Sequence, residues 1–229
     1  MPTLPDYTRR YTVEEYFALE EASDIRHEYY HGEIFPLDTP ENKAGGTKRH
    51  NLLIQNCVVA LRRALRGRGC SVFAENVRVS VDENQHYNYP DVTVSCAPTD
   101  TDPRTVHQPV LIMEVLSAST EARDRGWKFQ QYQQIPSFQH YVLVSQRRQL
   151  VECFTRNADG NWLLTSARDL QQEIMLSALH IQLSLADIYE DIGTGPEEDS
   201  PFLAYPINPT RRPQSPAPAR RTTPRRIYG

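Results

Sequence analysis

Three charged residues stand where the surrounding sequence predicts little contact with water. Glu114 interrupts the apolar segment 110–116, which has the character of a central β-strand covered on both faces. Asp91 opens another predicted strand directly after Pro90. A carboxylate in such a strand is costly unless it is paired or binds a metal. The third residue, Lys128, lies on the helix predicted after the Glu114 strand.

The spacing of these residues suggests a shared site. Asp124, Lys128 and Tyr132 recur every four residues, so they occupy one face of the predicted helix. Neighbouring strands lie ~4.8 Å apart, so Asp91 and Glu114 on one sheet face can share a divalent cation. Oxygen-only ligands suit Mg²⁺. A lysine beside the cation could orient or deprotonate an attacking water and stabilise negative charge on a phosphate.

The elements that must position these residues alternate between strands and helices. A capping box, Thr12 with Glu15, predicts a short helix to about Ala22, and the residues around His31 and Gly32 predict a hairpin over 27–37. Later predicted strands are 72–74, 77–81, 92–96, 110–116, 141–144, 151–155 and 162–165; predicted helices are 52–65 and 121–135; 183–188 is a strand or helix. The fold class expected from this order is α/β, a mixed sheet flanked by helices with an N-terminal hairpin.

Composition excludes several classes of protein. Of 229 residues, 39% are hydrophobic and 24% charged, which is ordinary for a globular protein. No apolar run approaches the ~18 residues of a membrane span, and the first ten residues lack the apolar core of a signal peptide. We therefore expect a cytoplasmic protein. The four cysteines, Cys57, Cys70, Cys96 and Cys153, form no C-x-x-C pair, and we expect them to be buried thiols.

A change in composition near residue 193 predicts the domain boundary. Residues 193–229 contain 8 of the 17 prolines and have a formal charge of +3, which leaves −7 for residues 1–192 because the whole chain carries −4. Such a segment has too few apolar residues to offset the entropy of ordering. The prediction is one domain over 8–192, followed by a disordered, Pro- and Arg-rich tail over 193–229.

Several segments together resemble a known family. They are Tyr89-Pro90-Asp91, the run Leu111–Thr120 around Glu114, and Asp124–Tyr132, with Arg26–Ile34, His50 and Phe138–Val144 also fitting. This order is similar to the Uma-two family of restriction endonucleases, within the PD-(D/E)-x-K nuclease superfamily, over about residues 8–190. The resemblance implies a restriction-endonuclease-like fold and a homodimer.

The same resemblance implies a function and a set of site residues. The function would be hydrolysis of phosphodiester bonds in DNA by an endonuclease that depends on Mg²⁺ (or Mn²⁺). Asp91 and Glu114 would bind the metal, and Glu28 would complete the acidic site. The superfamily pattern places a lysine two residues after the acid, but Leu116 stands there. The resemblance instead assigns the lysine role to Lys128.

Two other functions remain open from the sequence. One is a catalytically inactive nucleic-acid or protein-binding module on the same fold, because folds outlive functions. The other is a zinc peptidase, since His27-Glu28-x-x-His31 matches H-E-x-x-H. That motif needs a helix, whereas Gly32 and the residues after it predict a turn and a strand. We therefore expect His27 and His31 to be exposed turn residues.

Further basic residues have two interpretations each. His50 precedes the second helix and could approach a phosphate, but a surface or capping residue is the simpler expectation. The arginines at 62, 63, 66 and 68 could form a phosphate-binding stripe or a solvated helix face. The −7 charge of residues 1–192 requires any DNA contact to concentrate positive potential locally.

Overall fold

Strands and helices alternate through the described chain, which is residues 5–37, 47–83 and 85–193 of a computed structural model. The helices are α1 (Val13–Ala22), α2 (Lys48–Ala64), α3 (Glu121–Arg123), a π-helical turn (Asp124–Lys128), α4 (Phe129–Tyr132), a 3₁₀ turn (Ser177–Leu179) and α5 (Leu185–Ile188). The strands are β1 (His27–Tyr30), β2 (Glu33–Pro36), β3 (Ser71–Ala74), β4 (Arg78–Asp82), β5 (His86–Asn88), β6 (Val92–Ser95), β7 (Thr105–Val106), β8 (Pro109–Leu116), β9 (His140–Ser145), β10 (Val151–Arg156), β11 (Trp162–Ala167), β12 (Glu173–Leu176) and β13 (Ile181–Ser184).

The described residues belong to one unit, Met1–Pro196, while a second unit, Glu197–Gly229, lies outside them. The predicted tail therefore falls outside the described residues except for Gly193. The predicted boundary between 192 and 193, and the disorder of the tail, stay predictions. None of the described helices combines the length and the apolar character that crossing a bilayer requires.

A six-stranded sheet in the order β11-β10-β9-β8-β6-β3 forms the centre of the fold. Its strand β8 pairs antiparallel with β6 and parallel with β9, so the sheet is mixed. A five-stranded sheet in the order β2-β1-β5-β4-β7 and the pair β12-β13 complete the strand framework. This confirms the predicted α/β class of a mixed sheet flanked by helices.

The two faces of β8 are buried against different elements. On one face, Leu111 and Met113 belong to a core cluster with Leu53 and Leu61 of α2. On the other face, alternate residues of β8 join a cluster of large aromatic side chains. That second cluster contains Ile112, Leu116, Tyr132, Phe138 and Tyr141. Burial on both faces explains the nearly continuous apolar run from which β8 was predicted.

Local sequence signals set the N-terminal elements. Thr12 caps α1, and its side chain and that of Glu15 form the reciprocal capping box. His31 and Gly32 both have positive φ, at 48° and 90°, as a tight two-residue hairpin turn between β1 and β2 requires. A side chain at position 32 would also approach Arg10 Cβ to 3.3 Å. The predicted helix and hairpin are confirmed.

The helix predicted over 121–135 is interrupted and shorter. It consists of α3, the π-helical turn and α4, and it ends at Tyr132. The π-helical turn inserts one extra residue into the helix and leaves the apolar pattern recognisable. The periodicity of apolar residues therefore does not reveal the turn. Wide turns of this kind are frequent at functional sites.

The prediction of four buried thiols is wrong for two of the cysteines. Cys57 and Cys153 are buried free thiols, as expected. Cys70 and Cys96 instead form a disulfide. They flank the antiparallel pair β3–β6, in which Ser71 lies opposite Ser95. The pairing depends on strand register, which their separation of 26 residues along the chain does not show.

Candidate active site

Asp91 and Glu114 lie opposite each other at the pairing of β6 with β8. The register pairs Val92 with Met113, so Asp91, one residue before β6, meets Glu114. The Asp91 backbone N–H donates to Glu114 Oε2 at 3.3 Å, and the Val115 N–H donates to Asp91 Oδ2 at 2.7 Å. Each carboxylate is thus held by the backbone of the neighbouring strand.

Lys128 is bonded to Glu114 from the π-helical turn. Side-chain alternation turns Glu114 away from α2 and toward this turn and α4. Lys128 Nζ donates to Glu114 Oε1 at 3.0 Å and lies 3.1 Å from Asp124 Oδ1. Tyr132 Oη donates to the same Glu114 oxygen at 3.2 Å. The spacing of Asp124, Lys128 and Tyr132 therefore brings all three side chains to one place.

Glu28 adds a further acid from strand β1 of the other sheet. Its Oε1 lies 4.0 Å from Lys128 Nζ, and its Oε2 forms an ion pair with Arg123. The Glu28 side chain is only 1% exposed. Within the described residues, Glu28 Oε1 is buried without a hydrogen bond, and Asp124 Oδ1 has only its ion pair with Lys128. The site therefore contains buried acceptor oxygens with unused capacity.

Negative charge exceeds positive charge in this group, which we call the acid–lysine cluster: Glu28, Asp91, Glu114, Asp124 and Lys128. Burial raises the pKa of Glu114 to about 8, against the charge of Lys128 and with a contribution from the neighbouring acids. Burial alone would lower the pKa of Lys128, but the nearby carboxylates raise it well above its usual value. Both shifts follow from crowding several carboxylates around one ammonium.

The donors at Asp91 and Glu114 suit a hard, oxygen-binding cation. Mg²⁺ commonly takes one or two carboxylates and completes its shell with water and phosphate oxygens. The Asp91 side chain is 21% exposed, so water and substrate have access to it. In residues 5–37, 47–83 and 85–193, no three or more His, Cys, Asp or Glu side chains are grouped to hold a metal ion. A cation at this pair would depend on water or substrate for its other ligands.

Two residues of this region were not assigned to it from the sequence. His50 Nε2 lies 3.4 Å from Asp91 Oδ1, and its Nδ1 lies 3.1 Å from Gln146 Nε2. The expectation of a surface residue is wrong, because the His50 side chain is 10% exposed. Asp124 contacts Lys128 directly. The signal for Asp124 was its four-residue spacing from Lys128. For His50 the signals were its match to the family pattern and its place before the second helix, from which it could approach a phosphate.

The H-E-x-x-H segment does not form a zinc site. His27 lies on β1, where its Nδ1 is 2.8 Å from Glu20 Oε1 and its Nε2 is 3.3 Å from Tyr7 Oη. His31 lies in the turn, with its Nδ1 2.8 Å from Gln85 Oε1. His31 is exposed as predicted, but the same prediction for His27 is wrong, because its side chain is completely buried. The hairpin separates the partners of the two imidazoles and removes the zinc-peptidase alternative.

Comparisons with known proteins agree with the fold and with the resemblance. A family model described as "Uma2: Putative restriction endonuclease" matches residues 13–187. Two proteins of Synechocystis sp. (strain ATCC 27184 / PCC 6803 / Kazusa) are similar in sequence. "Uncharacterized protein slr1290" is 31% identical over 180 residues, which are 78% of this chain and 91% of that protein. "Uncharacterized protein sll1609" is 34% identical over 177 residues, which are 76% of this chain and 97% of that protein.

A solved structure shares the fold. It is the crystal structure of a "putative nuclease belonging to DUF820 from Anabaena variabilis ATCC 29413", with a TM-score of 0.60. The similarity covers 78% of this chain and 97% of that chain at 16% sequence identity. At this identity the comparison supports the fold alone.

Proposed function

This chain belongs to the family described as "Uma2: Putative restriction endonuclease". We propose that it is an endonuclease that hydrolyses phosphodiester bonds in DNA with the help of Mg²⁺ or Mn²⁺. The acid–lysine cluster is the proposed active site. Asp91 and Glu114 are the proposed metal ligands, and Glu28 and Lys128 complete the catalytic set.

The observation that carries this proposal is the excess of carboxylates in a largely buried place. Three acids, Glu28, Glu114 and Asp124, face the side-chain cations Lys128 and Arg123. The fourth acid, Asp91, contacts His50. Glu28 Oε1 has no hydrogen bond among the described residues. A buried acid without compensation is costly, so the cluster favours uptake of a proton or a cation. Asp91 and Glu114, which lie opposite each other, would hold the divalent cation.

A divalent cation at this pair would polarise the phosphate and lower the pKa of a bound water. The protein's own groups prepare the place for it. Backbone N–H groups hold one oxygen of Asp91 and one of Glu114, which fixes the direction of both carboxylates. Tyr132 and Lys128 hold the remaining Glu114 oxygen from the opposite side.

Lys128 has the role of a permanent positive charge in this proposal. Its raised pKa keeps the ammonium protonated at neutral pH, which favours stabilising a phosphate over accepting a proton. Glu28 is 4.0 Å from Lys128 Nζ and helps to orient it. Of the two roles that the sequence left open for the lysine, charge stabilisation therefore fits better than deprotonation of water.

The inactive-module alternative has less support. A binding module has no use for a full set of buried acids with a lysine, and burying uncompensated charge lowers stability. The homodimer expected from the family resemblance stays a prediction.

A cleavage assay tests the proposal. Supercoiled and linear DNA are incubated with the full chain in Mg²⁺, in Mn²⁺ and in EDTA, and we expect cleavage only with a divalent cation. Glu114→Gln and Asp91→Asn should abolish it, because the amides keep the shape but bind the cation poorly. Glu173→Gln, an exposed acid on β12, is the matched control and should cleave normally. Equal cleavage by Glu114→Gln and the wild-type protein would refute the proposed mechanism.

A further inference from the structure

A broad groove lies between the C-terminal half of α2 and the edge strand β3. It has a volume of about 910 Å³ and is lined by Val59, Arg62, Arg63, Arg66, Ser71 and Val72, among others. We call it the α2–β3 groove. On its outer side, β3 pairs with no other strand in the described part of the chain. We propose that this groove binds the phosphate backbone of the DNA that flanks the cleaved bond, an inference that rests on the proposed nuclease function.

Charge is the first argument for this occupant. Arg62, Arg63 and Arg66 are exposed, and Arg66 lies four residues after Arg62 and three after Arg63, so it neighbours both on the helix surface. They form no ion pair with any residue that the structure describes, and no acidic side chain lines the groove there. Residues 1–192 carry a formal charge of −7, so three uncompensated arginines in one groove concentrate positive potential.

The position relative to the active site is the second argument. Helix α2 begins at the site, where His50 meets Asp91, and continues to the arginines at its other end. Twelve residues from His50 to Arg62 span about 18 Å of helix. Strand β3 makes the same connection, because it runs from Ser71 to the Glu75 N–H, which donates to the Asp91 carbonyl oxygen at 3.0 Å. Four strand residues span about 13 Å.

These lengths fit the repeat of the DNA backbone. Phosphates on one strand of a duplex advance about 3.4 Å per nucleotide along the axis. A groove about 13–18 Å from Asp91 therefore corresponds to a phosphate about four to five nucleotides from the cleaved bond. The exposed apolar side chain of Val59, at 65%, can contact sugar groups between phosphates. Contacts of this kind position the substrate without reading its sequence.

The test compares two triple variants with the same change in charge. The first is Arg62→Gln/Arg63→Gln/Arg66→Gln in the groove. The control is Arg9→Gln/Arg10→Gln/Arg104→Gln, whose arginines are exposed and form surface ion pairs elsewhere. Binding of a fluorescent DNA duplex to each full-length protein is measured by anisotropy in EDTA at several salt concentrations. The single variant Arg66→Gln is measured in the same way and removes only one of the three charges.

We expect the groove variant to bind DNA about tenfold or more weakly than the wild-type protein at low salt. The slope of log affinity against log salt should decrease by about two to three, or by about one for Arg66→Gln. The control should change the slope by less than about one. Equal losses in both triple variants, or no loss in the groove variant, would overturn the inference.

Cleavage separates this inference from the proposed function. The wild-type protein should cleave slowly when the flanking DNA on one side is shorter than about four nucleotides, and the groove variant should lose this length dependence. Groove-specific loss of binding without cleavage under any metal would remove the nuclease proposal and leave DNA-backbone binding by the groove standing. If the cleavage rate depends neither on flank length nor on the groove arginines, the groove inference is refuted and the nuclease proposal stands. Loss of a wild-type dimer in the groove variant, with unchanged DNA affinity, would assign the groove to a second copy of the chain.

Discussion

Two buried acidic regions border strand β1, and they differ in how completely their acids are bonded. In the first, Glu20 has a side chain that is 6% exposed, yet every oxygen is used. Its Oε1 accepts from the His27 backbone N–H at 3.0 Å and contacts His27 Nδ1, and its Oε2 accepts from Tyr89 Oη at 2.6 Å. One acid with matched partners is a stable structural unit.

The acid–lysine cluster is built in the opposite way. Several carboxylates share Lys128 and Arg123, and Glu28 Oε1 has no hydrogen bond among the described residues. His27 and Glu28 are neighbours on β1, so alternation sends one side chain to each region. The difference teaches that burial of an acid does not identify a site. In our proposal, an excess of buried acids over their partners marks the active site.

Among the substitutions that compare these two regions, removal of Lys128 should change the cleavage rate most. We expect Lys128→Ala to reduce metal-dependent cleavage by roughly 10²-fold or more, because the fixed charge near the phosphate is lost. The measurement is the cleavage rate per folded molecule, with folding followed by circular dichroism. Arg168→Ala, an exposed basic residue directly after β11, is the control. Cleavage by Lys128→Ala within about threefold of the wild-type rate would remove the lysine from the mechanism.

The Glu20 region should respond in stability and not in activity. We expect Glu20→Ala to lower the free energy of unfolding by about 2 kcal/mol, since His27 and Tyr89 would lose a charged partner. Chemical denaturation gives this value, and the cleavage rate of the folded fraction should stay unchanged. If Glu20→Ala leaves the free energy of unfolding unchanged and lowers the cleavage rate, the assignment of a purely structural role to Glu20 is wrong.

Glu28 should contribute to cleavage less than Lys128, because its proposed role is to orient the Lys128 ammonium. We expect Glu28→Gln to reduce cleavage about tenfold, less than Lys128→Ala, because Glu28 Oε1 is 4.0 Å from the ammonium and does not hydrogen-bond to it. Glu33→Gln on β2, an exposed acid of the same hairpin, is the matched control. A loss as large as that of Lys128→Ala would move Glu28 to the centre of the chemistry.

The pH dependence of stability should have opposite signs for the acid–lysine cluster and for two buried histidines that lie outside both regions. Because the folded-state pKa of Glu114 is raised to about 8, the folded protein keeps a proton that the unfolded chain loses, so stability falls as the pH rises from about 4.5 toward 8. His50, whose pKa Asp91 raises against the effect of burial, adds to this slope. Burial lowers the pKa of His86 and His140 to about 4, so their contribution is lost as the pH falls from 6.5 toward 4.

Between pH 6.5 and 8 the metal-free protein should therefore lose about 1.5–2 kcal/mol of stability. Most of that loss should disappear in Glu114→Gln, whose side chain does not titrate. Chemical denaturation in EDTA across this range measures both proteins. A flat wild-type profile, or an unchanged slope in Glu114→Gln, would show that crowding of the acids does not control the pKa of Glu114.

Local features could be predicted from the sequence because neighbouring residues determine them. The capping box at Thr12, the turn at Gly32 and the apolar strand around Glu114 all depend on adjacent residues. The spacing of Asp124 from Lys128 likewise placed both on one face. These signals are short in range, and the structure agrees with them.

Features that depend on strand register or on distant packing could not be predicted. The Cys70–Cys96 disulfide requires knowing that β3 lies beside β6. The contact of His50 with Asp91 joins the start of α2 to a strand more than forty positions later. Burial of His27 depends on Glu20, in the preceding helix. None of these partnerships leaves a periodic pattern along the chain.

The most direct test of the account asks whether the acid–lysine cluster binds a divalent cation at all. The melting temperature of the metal-free protein is measured at pH 8 while Mg²⁺ or Mn²⁺ is added, for the wild-type protein, Glu114→Gln and the control Glu173→Gln. A ligand bound only by the folded state at 100 times its Kd stabilises by about 2.7 kcal/mol. We expect a concentration-dependent rise for the wild-type protein and the control, and little or none for Glu114→Gln. No rise in the wild-type protein, or an equal rise in all three, would contradict the account.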